Sequence, residues 1–158
     1  MKRKALLVLG LAVALTCTNV VSVYAAEGEN YSIETYSNNN NKVVATGSEQ
    51  TDITGDVSVT GNDETAVKTS DNAKVSVKGN VSADGNNTYG VRSTDNSSVS
   101  VQGNVSASGE SAEGVASRGN SSVKVSGDVT AEGQMTPTGV DAVKGSSVTV
   151  DGTVKAVG

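Results

Sequence analysis

A glycine returns at an almost constant interval along most of this chain. Gly55, Gly79, Gly103 and Gly127 follow one another at a single interval of about 24 residues, and Gly152 comes just one position later than that interval would place it. A fixed period of this size is typical of a solenoid, in which each repeat is a small unit that packs only on its two neighbours. This repeat constrains the fold more than any other feature of the sequence.

Each repeat contains three short pieces in which apolar and polar residues alternate. The first has the pattern V-x-V, the second is V-x-A after a Gly-Asn or Gly-Asp step, and the third is V-x-S/T/A. In one repeat these pieces begin at Val99, Val105 and Val115. Alternation with a period of two indicates a β-strand with one buried face. The repeat is therefore expected to supply three short strands joined by short turns.

Two arrangements of these strands are possible, and the residue types distinguish them. A hairpin meander would use the Gly-Asn and Gly-Asp steps as turns, but it gives no reason for like residues to return. In a parallel β-helix each residue lies about 4.8 Å from its equivalent in the next coil, so Val stacks on Val and Asn on Asn. We predict an all-β fold, a right-handed parallel β-helix of about four and a half 24-residue coils with three short strands each.

Polar residues and glycines mark the predicted corners of the coil. Asn72, Asn96 and Asn120 share one column, and Asn tolerates the left-handed backbone that a sharp corner requires. The single extra residue lies in 134–138. Because insertions in repeat proteins map to loops on one side, we expect this segment to bulge from its corner.

The N-terminal segment has the pattern of a cleaved signal peptide. Lys2, Arg3 and Lys4 precede an apolar run over Leu6–Leu15, and Val23-Tyr24-Ala25 offers small residues at the positions that a signal peptidase reads. A membrane anchor is the alternative, but the apolar run is shorter than the roughly 20 residues that a span needs. We predict a signal peptide over 1–25, an N-terminal cap or linker over 26–42, and solenoid repeats over 43–158 that are incomplete at the C-terminal end.

Composition limits the partners and the chemistry of the mature chain. Removal of residues 1–25 takes away three of 12 basic residues and none of 17 acidic ones, so 9 minus 17 gives a net charge of −8. This balance argues against nucleic acid as a partner. The only cysteine, Cys17, is removed as well, and the chain has no His. We therefore expect neither a disulfide nor a soft-metal site.

The repeats resemble those of autotransporter passengers and related adhesin-like bacterial surface proteins. The resemblance is carried by runs such as Tyr89-Gly-Val-Arg-Ser-Thr-Asp-Asn-Ser-Ser-Val-Ser-Val-Gln-Gly-Asn-Val-Ser-Ala-Ser-Gly109, and it covers about residues 43–158. It implies a right-handed β-helix displayed outside a bacterial cell, often as part of a longer protein.

No constellation in the sequence points to a reaction. The predicted outward positions hold mostly Ser, Thr and isolated charges. Lys68 and Arg92 are neighbours in one column, and no acidic pair is predicted to face them. No loop is long enough to wall a cleft. We therefore assign no catalytic, cofactor-binding or metal-binding residue and expect no cofactor and no enzymatic activity.

These observations favour a secreted, non-catalytic β-solenoid that acts as a surface-display spacer or an adhesin-like binding module. We expect it outside the cell, including at the cell surface. Its expected partner is an extracellular ligand, either a glycan or a cell-surface protein, and the open C-terminal coil offers a route to end-to-end self-association. The alternative is a polysaccharide-active β-helix enzyme, a lyase or hydrolase, or a fragment of one. Ice binding is a remote third reading, because the Ser and Thr columns are mixed.

The signal-peptide prediction has a direct test. Cleavage after Ala25 gives secreted material whose intact mass begins at Ala26. A folded surface product that retains Met1 would contradict it.

Overall fold

The computed structural model describes residues 19–23, 30–34, 41–48 and 50–158 of the chain. Within these ranges the chain forms strands and turns and contains no helix. The strands are β1 (Asn19–Val23), β2 (Asn30–Glu34), β3 (Asn41–Thr46), β4 (Gln50–Thr54), β5 (Val57–Thr60), β6 (Thr65–Ser70), β7 (Lys74–Val77), β8 (Val81–Asp84), β9 (Tyr89–Ser93), β10 (Ser98–Val101), β11 (Val105–Ser108), β12 (Glu113–Arg118), β13 (Ser122–Val125), β14 (Val129–Glu132), β15 (Thr138–Val143), β16 (Ser147–Val150) and β17 (Val154–Val157).

The strands form three parallel sheets that wind as a β-solenoid, which confirms the predicted fold class. Sheet A has the order β1-β3-β6-β9-β12-β15, sheet B the order β2-β4-β7-β10-β13-β16, and sheet C the order β5-β8-β11-β14-β17. Every strand pairs with the strand one coil away. From β3 to β17 the strands follow the order A, B, C five times, so the chain makes five turns. The V-x-S/T/A piece forms the sheet A strand of each turn.

The first two strands extend the stack below the repeats. β1 pairs with β3, and β2 pairs with β4 in a register that sets Tyr31 beside Thr51 and Ile33 beside Ile53. β2 lies within the segment 26–42 that the sequence predicts as an N-terminal cap or linker. β1 falls within the segment that the sequence predicts as a signal peptide, and that assignment stays a prediction.

The core is a narrow column of small branched side chains. In sheet B, Val75 pairs with Val99 and Val99 with Val123, and in sheet C the same holds for Val81, Val105 and Val129. These valines are buried. The core of this thin coil is almost entirely Val and Ala, with Ile53 as its largest fully buried side chain. Stacked Val side chains fill it because their branched Cβ suits a pleated surface.

One inward column of sheet A is polar. Thr69, Ser93 and Ser117 are fully buried, and the Thr69 hydroxyl donates a hydrogen bond of 2.9 Å to Ser93 Oγ. The bond between Thr69 and Ser93 offsets the cost of burying those two hydroxyls, whereas Ser117 Oγ has no hydrogen-bond partner among the described residues.

The corner between sheets A and B uses the left-handed backbone predicted for Asn. The φ angles are 71° at Asn72, 61° at Asn96 and 60° at Asn120. Gly145, with φ of 77°, takes the equivalent place in the last coil. The turn chemistry thus repeats with the coil, because each corner must reverse the chain in the same few residues.

The corner between sheets B and C carries a ladder of side-chain oxygens. Asp56 Oδ1 accepts the backbone N–H of Asn80 at 2.7 Å, and Asn80 Oδ1 accepts that of Asn104 at 2.9 Å. The pattern continues from Asn104 to Asp128 at 2.8 Å and from Asp128 to Thr153 at 2.7 Å. Each coil therefore satisfies a corner donor of the next coil.

This ladder explains the glycine column from which the repeat is recognised. A Cβ atom on Gly103 would lie 2.5 Å from Asn80 Oδ1 and 2.6 Å from the Gly79 carbonyl oxygen. Both distances are too short for any side chain. Glycine is needed here because the coils touch backbone to backbone.

Among the described residues, β5 is the first strand of sheet C, and a side chain bonds to its backbone. Asn41 Nδ2 donates to the Asp56 carbonyl oxygen at 2.9 Å, and Asn41 Oδ1 accepts the Ser58 N–H at 2.7 Å. Asn41 is 5% exposed. Its amide group thus satisfies backbone groups at the start of β5, as a paired peptide group would.

The last coil is less covered than those below it. Val143, Val154 and Val157 are 39%, 48% and 39% exposed. The one-residue insertion appears as predicted in the turn before β15, because Thr138 pairs with Glu113 one position further along the chain than the usual repeat interval. The self-association route through this coil stays a prediction.

The inward and outward assignment of β10 can be tested with two neighbouring substitutions. Val101 is fully buried between Val77 and Val125, whereas Ser100 is exposed. Val101→Asp buries an unpaired charge, which typically costs several kcal/mol. We expect it to lower the melting temperature by about 10 °C or more. Ser100→Asp is the matched control and should shift it little. Equal effects in thermal melts followed by circular dichroism would contradict the assignment.

Candidate binding site on the outer face of sheet A

The outer face of sheet A holds the densest group of charged side chains seen on the described part of the solenoid. Three columns run along it, parallel to the solenoid axis. The first contains Thr65, Tyr89, Glu113 and Thr138, the second Lys68, Arg92, Ala116 and Asp141, and the third Ser70, Thr94, Arg118 and Val143. We call Tyr89, Arg92, Glu113, Arg118 and Asp141 the sheet A network.

The expectation of isolated charges on this face is wrong. Glu113 and Asp141 lie on the same face as Arg92, and Glu113 interacts electrostatically with Arg92 and with Arg118. The sequence prediction misses Glu113 because it assigns only the positions after each leading Val outward, whereas Glu113 stands two residues before Val115. The recurrence of Thr65, Tyr89 and Glu113 at the repeat interval is the signal that could have found it.

Arg118 and Asp141 form the closest contact of the network. Arg118 Nη2 lies 2.9 Å from Asp141 Oδ2, and both side chains are about one-third exposed. Arg118 belongs to the third column and Asp141 to the second, one coil further along. The guanidinium group is therefore drawn back across the face toward the column of Lys68 and Arg92.

Arg92 and Tyr89 form the second contact. The guanidinium carbon of Arg92 lies 5.2 Å from the centre of the Tyr89 ring. This is within the range of a cation–π interaction. Tyr89 is the register partner of Glu113 in the next coil, so this pair lies directly beside Glu113.

Ala116 marks the middle of the network. It stands in register between Arg92 and Asp141, at a position predicted to face outward, yet it is fully buried. Val115 and Ser117 on either side of it point into the core, so Ala116 lies beneath the long side chains of its neighbours. A small residue at this position leaves space for those side chains to converge.

Burial raises the pKa of Glu113 above its ordinary value near 4.5. Arg118 opposes this shift, Asp141 adds to it, and Arg92 and the hydrogen bond with Tyr89 oppose it more weakly. The carboxyl is thus harder to ionise than a solvated one, because desolvation outweighs the attraction of the arginines. The hydrogen bond with Asp141 is the main cause that raises the pKa of Arg118, which keeps its charge.

Two polar atoms of the network have no hydrogen-bond partner among the described residues. They are Glu113 Oε2 and Arg118 Nε, and both are buried. An unpaired buried donor and an unpaired buried acceptor in one small group each cost stability. The same holds for three buried hydroxyl groups elsewhere in the stack, those of Thr51, Ser97 and Ser117.

Three cations of this face follow one another in successive coils. We call Lys68, Arg92 and the guanidinium of Arg118 the cationic row. Lys68 is exposed and makes no ion pair with any described residue. Lys68 and Arg92 are register partners, so two like charges lie directly opposite each other, an arrangement that destabilises a sheet.

Sheet B offers a second, chemically simpler surface. A shallow depression of about 400 Å³ runs along its outer face, and its lining includes the hydroxyl-bearing Ser76, Ser100 and Thr149 and the charged Asp52, Lys74 and Lys124. Lys124 pairs with Asp151 at 3.4 Å. This surface offers hydroxyl groups for hydrogen bonding but no converging charges.

The described residues were also compared with the requirements of a metal site and of a membrane-spanning helix. Among them, no three His, Cys, Asp or Glu side chains are grouped so that they could hold a metal ion. In the same part of the chain no helix is long and apolar enough to cross a membrane.

No family model, curated protein or solved structure matches the chain. The β-solenoid fold therefore rests on the repeat and on the structure itself.

The raised pKa of Glu113 predicts a specific pH dependence of stability. The folded chain binds the Glu113 proton more tightly than the unfolded chain does, so this group lowers the free energy of unfolding as the pH rises from about 4.5 through its folded pKa. Glu113→Gln removes that contribution. We expect its melting temperature, relative to wild type, to rise between pH 4 and pH 7.

The control for this experiment is Glu132→Gln, the same change at an exposed position in sheet C. Its difference from wild type should stay nearly constant over the same pH range. A Glu113→Gln difference that does not change with pH would contradict the assignment of Glu113 as a buried, hard-to-ionise group.

Proposed function

We propose that this protein is an extracellular, non-catalytic β-solenoid that serves as a surface-display spacer or adhesin-like binding module. The observation that carries the proposal is the continuous bonding along the stack. Three parallel ladders join each coil to the next, and the side-chain ladder from Asp56 to Thr153 adds a fourth connection. A stack bonded in this way is a rod that grows by about 4.8 Å per coil.

The sequence supports placement outside the cell. The predicted signal peptide provides the route of export, and the negative charge expected of the mature chain favours solubility. The resemblance of the repeats to autotransporter passengers and adhesin-like proteins favours a bacterial cell surface. The Ser and Thr columns of sheets B and C suit a solvated rod.

The spacer part of the proposal is tested by changing the number of coils. Deletion of 98–121 removes one full repeat and joins Ser97 to Ser122 in the original register, since Ser97 and Ser121 are equivalent. We expect a folded protein whose longest dimension, measured by small-angle X-ray scattering, is shorter by about 4.8 Å.

Deletion of 98–109 is the matched control because it removes half a repeat. It brings strands of different sheets into one position and should abolish folding. Equal behaviour of the two deletions would contradict a rod built from interchangeable coils.

The binding part is tested with the chain coupled to beads and offered immobilised extracellular glycans and proteins. Selective retention on one of them is the expected result. If none of the glycans or proteins retains the beads, the adhesin-like role is wrong. If the incubated glycans acquire new reducing or unsaturated sugar ends, the non-catalytic assignment is wrong.

One observation favours a second candidate, a polysaccharide-active enzyme. Burial raises the pKa of Glu113, which lies beside Arg118, Asp141 and Arg92, and a carboxyl with a raised pKa is the kind of group that serves as a general acid. If this candidate is right, incubation with acidic glycans yields new sugar ends and Glu113→Gln abolishes them. Unchanged glycans would exclude this candidate for the glycans tested.

A further inference from the structure

We infer that the cationic row on sheet A binds the acid groups of a linear acidic polysaccharide that lies along the solenoid axis. This inference rests on the proposed function as an extracellular binding module and assigns that module a site and a ligand class. The contacts come from Lys68, Arg92 and the guanidinium of Arg118. They belong to three successive coils, so the row follows the axis of the rod.

The described residues neutralise only part of the charge of the row. Lys68 faces solvent without an ion pair, whereas Arg92 lies over the Tyr89 ring near Glu113 and Arg118 pairs with Asp141. Two cations in register repel each other, and an anion placed between them relieves that repulsion. The surrounding protein has a predicted mature net charge of −8, so attraction of an anion must be local to this face.

Two members of the row are held in position before any ligand arrives. Arg92 rests over the Tyr89 ring at 5.2 Å, and Arg118 is fixed by its 2.9 Å contact with Asp141. Holding a guanidinium group in advance reduces the side-chain entropy that binding would cost. Glu113, the register partner of Tyr89, interacts electrostatically with both arginines.

The spacing and the neighbours of the row select the class of ligand. The register places the backbones of Lys68 and Arg92 one coil apart, a step of about 4.8 Å, which is similar in scale to one sugar unit in an extended glycan chain. The flanking outward residues Thr65, Ser70 and Thr94 carry hydroxyl groups, which suit a polyhydroxylated ligand. A regular, narrow row of charge bordered by hydroxyls fits a repeating acidic sugar chain better than an apolar protein epitope.

The test compares two double variants of equal charge. Lys68→Gln/Arg92→Gln removes two members of the row, and Lys74→Gln/Lys78→Gln removes two exposed cations associated with sheet B. Binding of the secreted chain is measured by calorimetry at low and high salt to polygalacturonate, which carries carboxylates, to dextran sulfate, which carries sulfates, and to neutral dextran. Circular dichroism confirms that each variant is folded.

We expect wild type to bind at least one acidic polymer, to bind it less tightly at high salt because exposed charges are screened, and to ignore neutral dextran. The row variant should bind about tenfold more weakly or worse, equivalent to about 1.4 kcal/mol, while the sheet B variant stays within about twofold of wild type. Binding to polygalacturonate alone identifies the carboxylate as the recognised group, and binding to dextran sulfate alone identifies the sulfate. Lys68→Gln by itself, at an exposed position, gives a smaller loss and covers the case in which loss of Arg92 disturbs Tyr89.

Equal affinity of wild type and the row variant would overturn the site while leaving a binding function in place, because the ligand would then bind elsewhere on the rod. If the wild-type chain binds neither acidic polymer, or binds neutral dextran equally well, the proposed ligand class is wrong. If the chain instead cleaves an acidic polymer, the proposed non-catalytic function fails as well.

Discussion

The hydrogen-bonded stacking of one coil on the next is the interaction on which the rest of this structure depends. Each strand of sheets A, B and C pairs with its equivalent one repeat away, so each residue lies beside the residue at the same position of the neighbouring repeat. That arrangement allows a very thin core to be well packed. Stacked valines such as Val77, Val101 and Val125 pack on one another along the axis as well as across the coil.

The same stacking decides where the chain tolerates no side chain at all. Gly103 lies against the Gly79 carbonyl oxygen and Asn80 Oδ1, where a Cβ atom would collide. The oxygen that excludes a side chain also accepts the N–H of Asn104. Close backbone approach and corner hydrogen bonding are thus two aspects of one contact, and the glycine column and the Asn/Asp column are neighbours in sequence for that reason.

Departures from strict repetition are concentrated on the outer face of sheet A. The stack would accept Ser or Thr at every outward position, as sheets B and C largely do. At Tyr89, Glu113 and Arg118 it carries long side chains that reach one another across coils, with Ala116 leaving room between them. Arg118 pairs with Asp141 and Arg92 lies over the Tyr89 ring, so cations from neighbouring coils are gathered there. The proposed binding site lies on this face because these long charged side chains are concentrated there.

Sequence alone determined the fold, because the constant repeat interval and the alternation within it leave few ways to bury Val and Ala while stacking Asn on Asn. It also determined the left-handed corners at Asn72, Asn96 and Asn120 and the place of the insertion, since these depend on local backbone chemistry. The tertiary structure alone decided the burial of Ala116 and the convergence of Glu113, Arg118 and Asp141. Those features depend on how far long side chains reach across coils from different columns, and a repeat pattern, which records only the spacing along the chain, does not contain that distance.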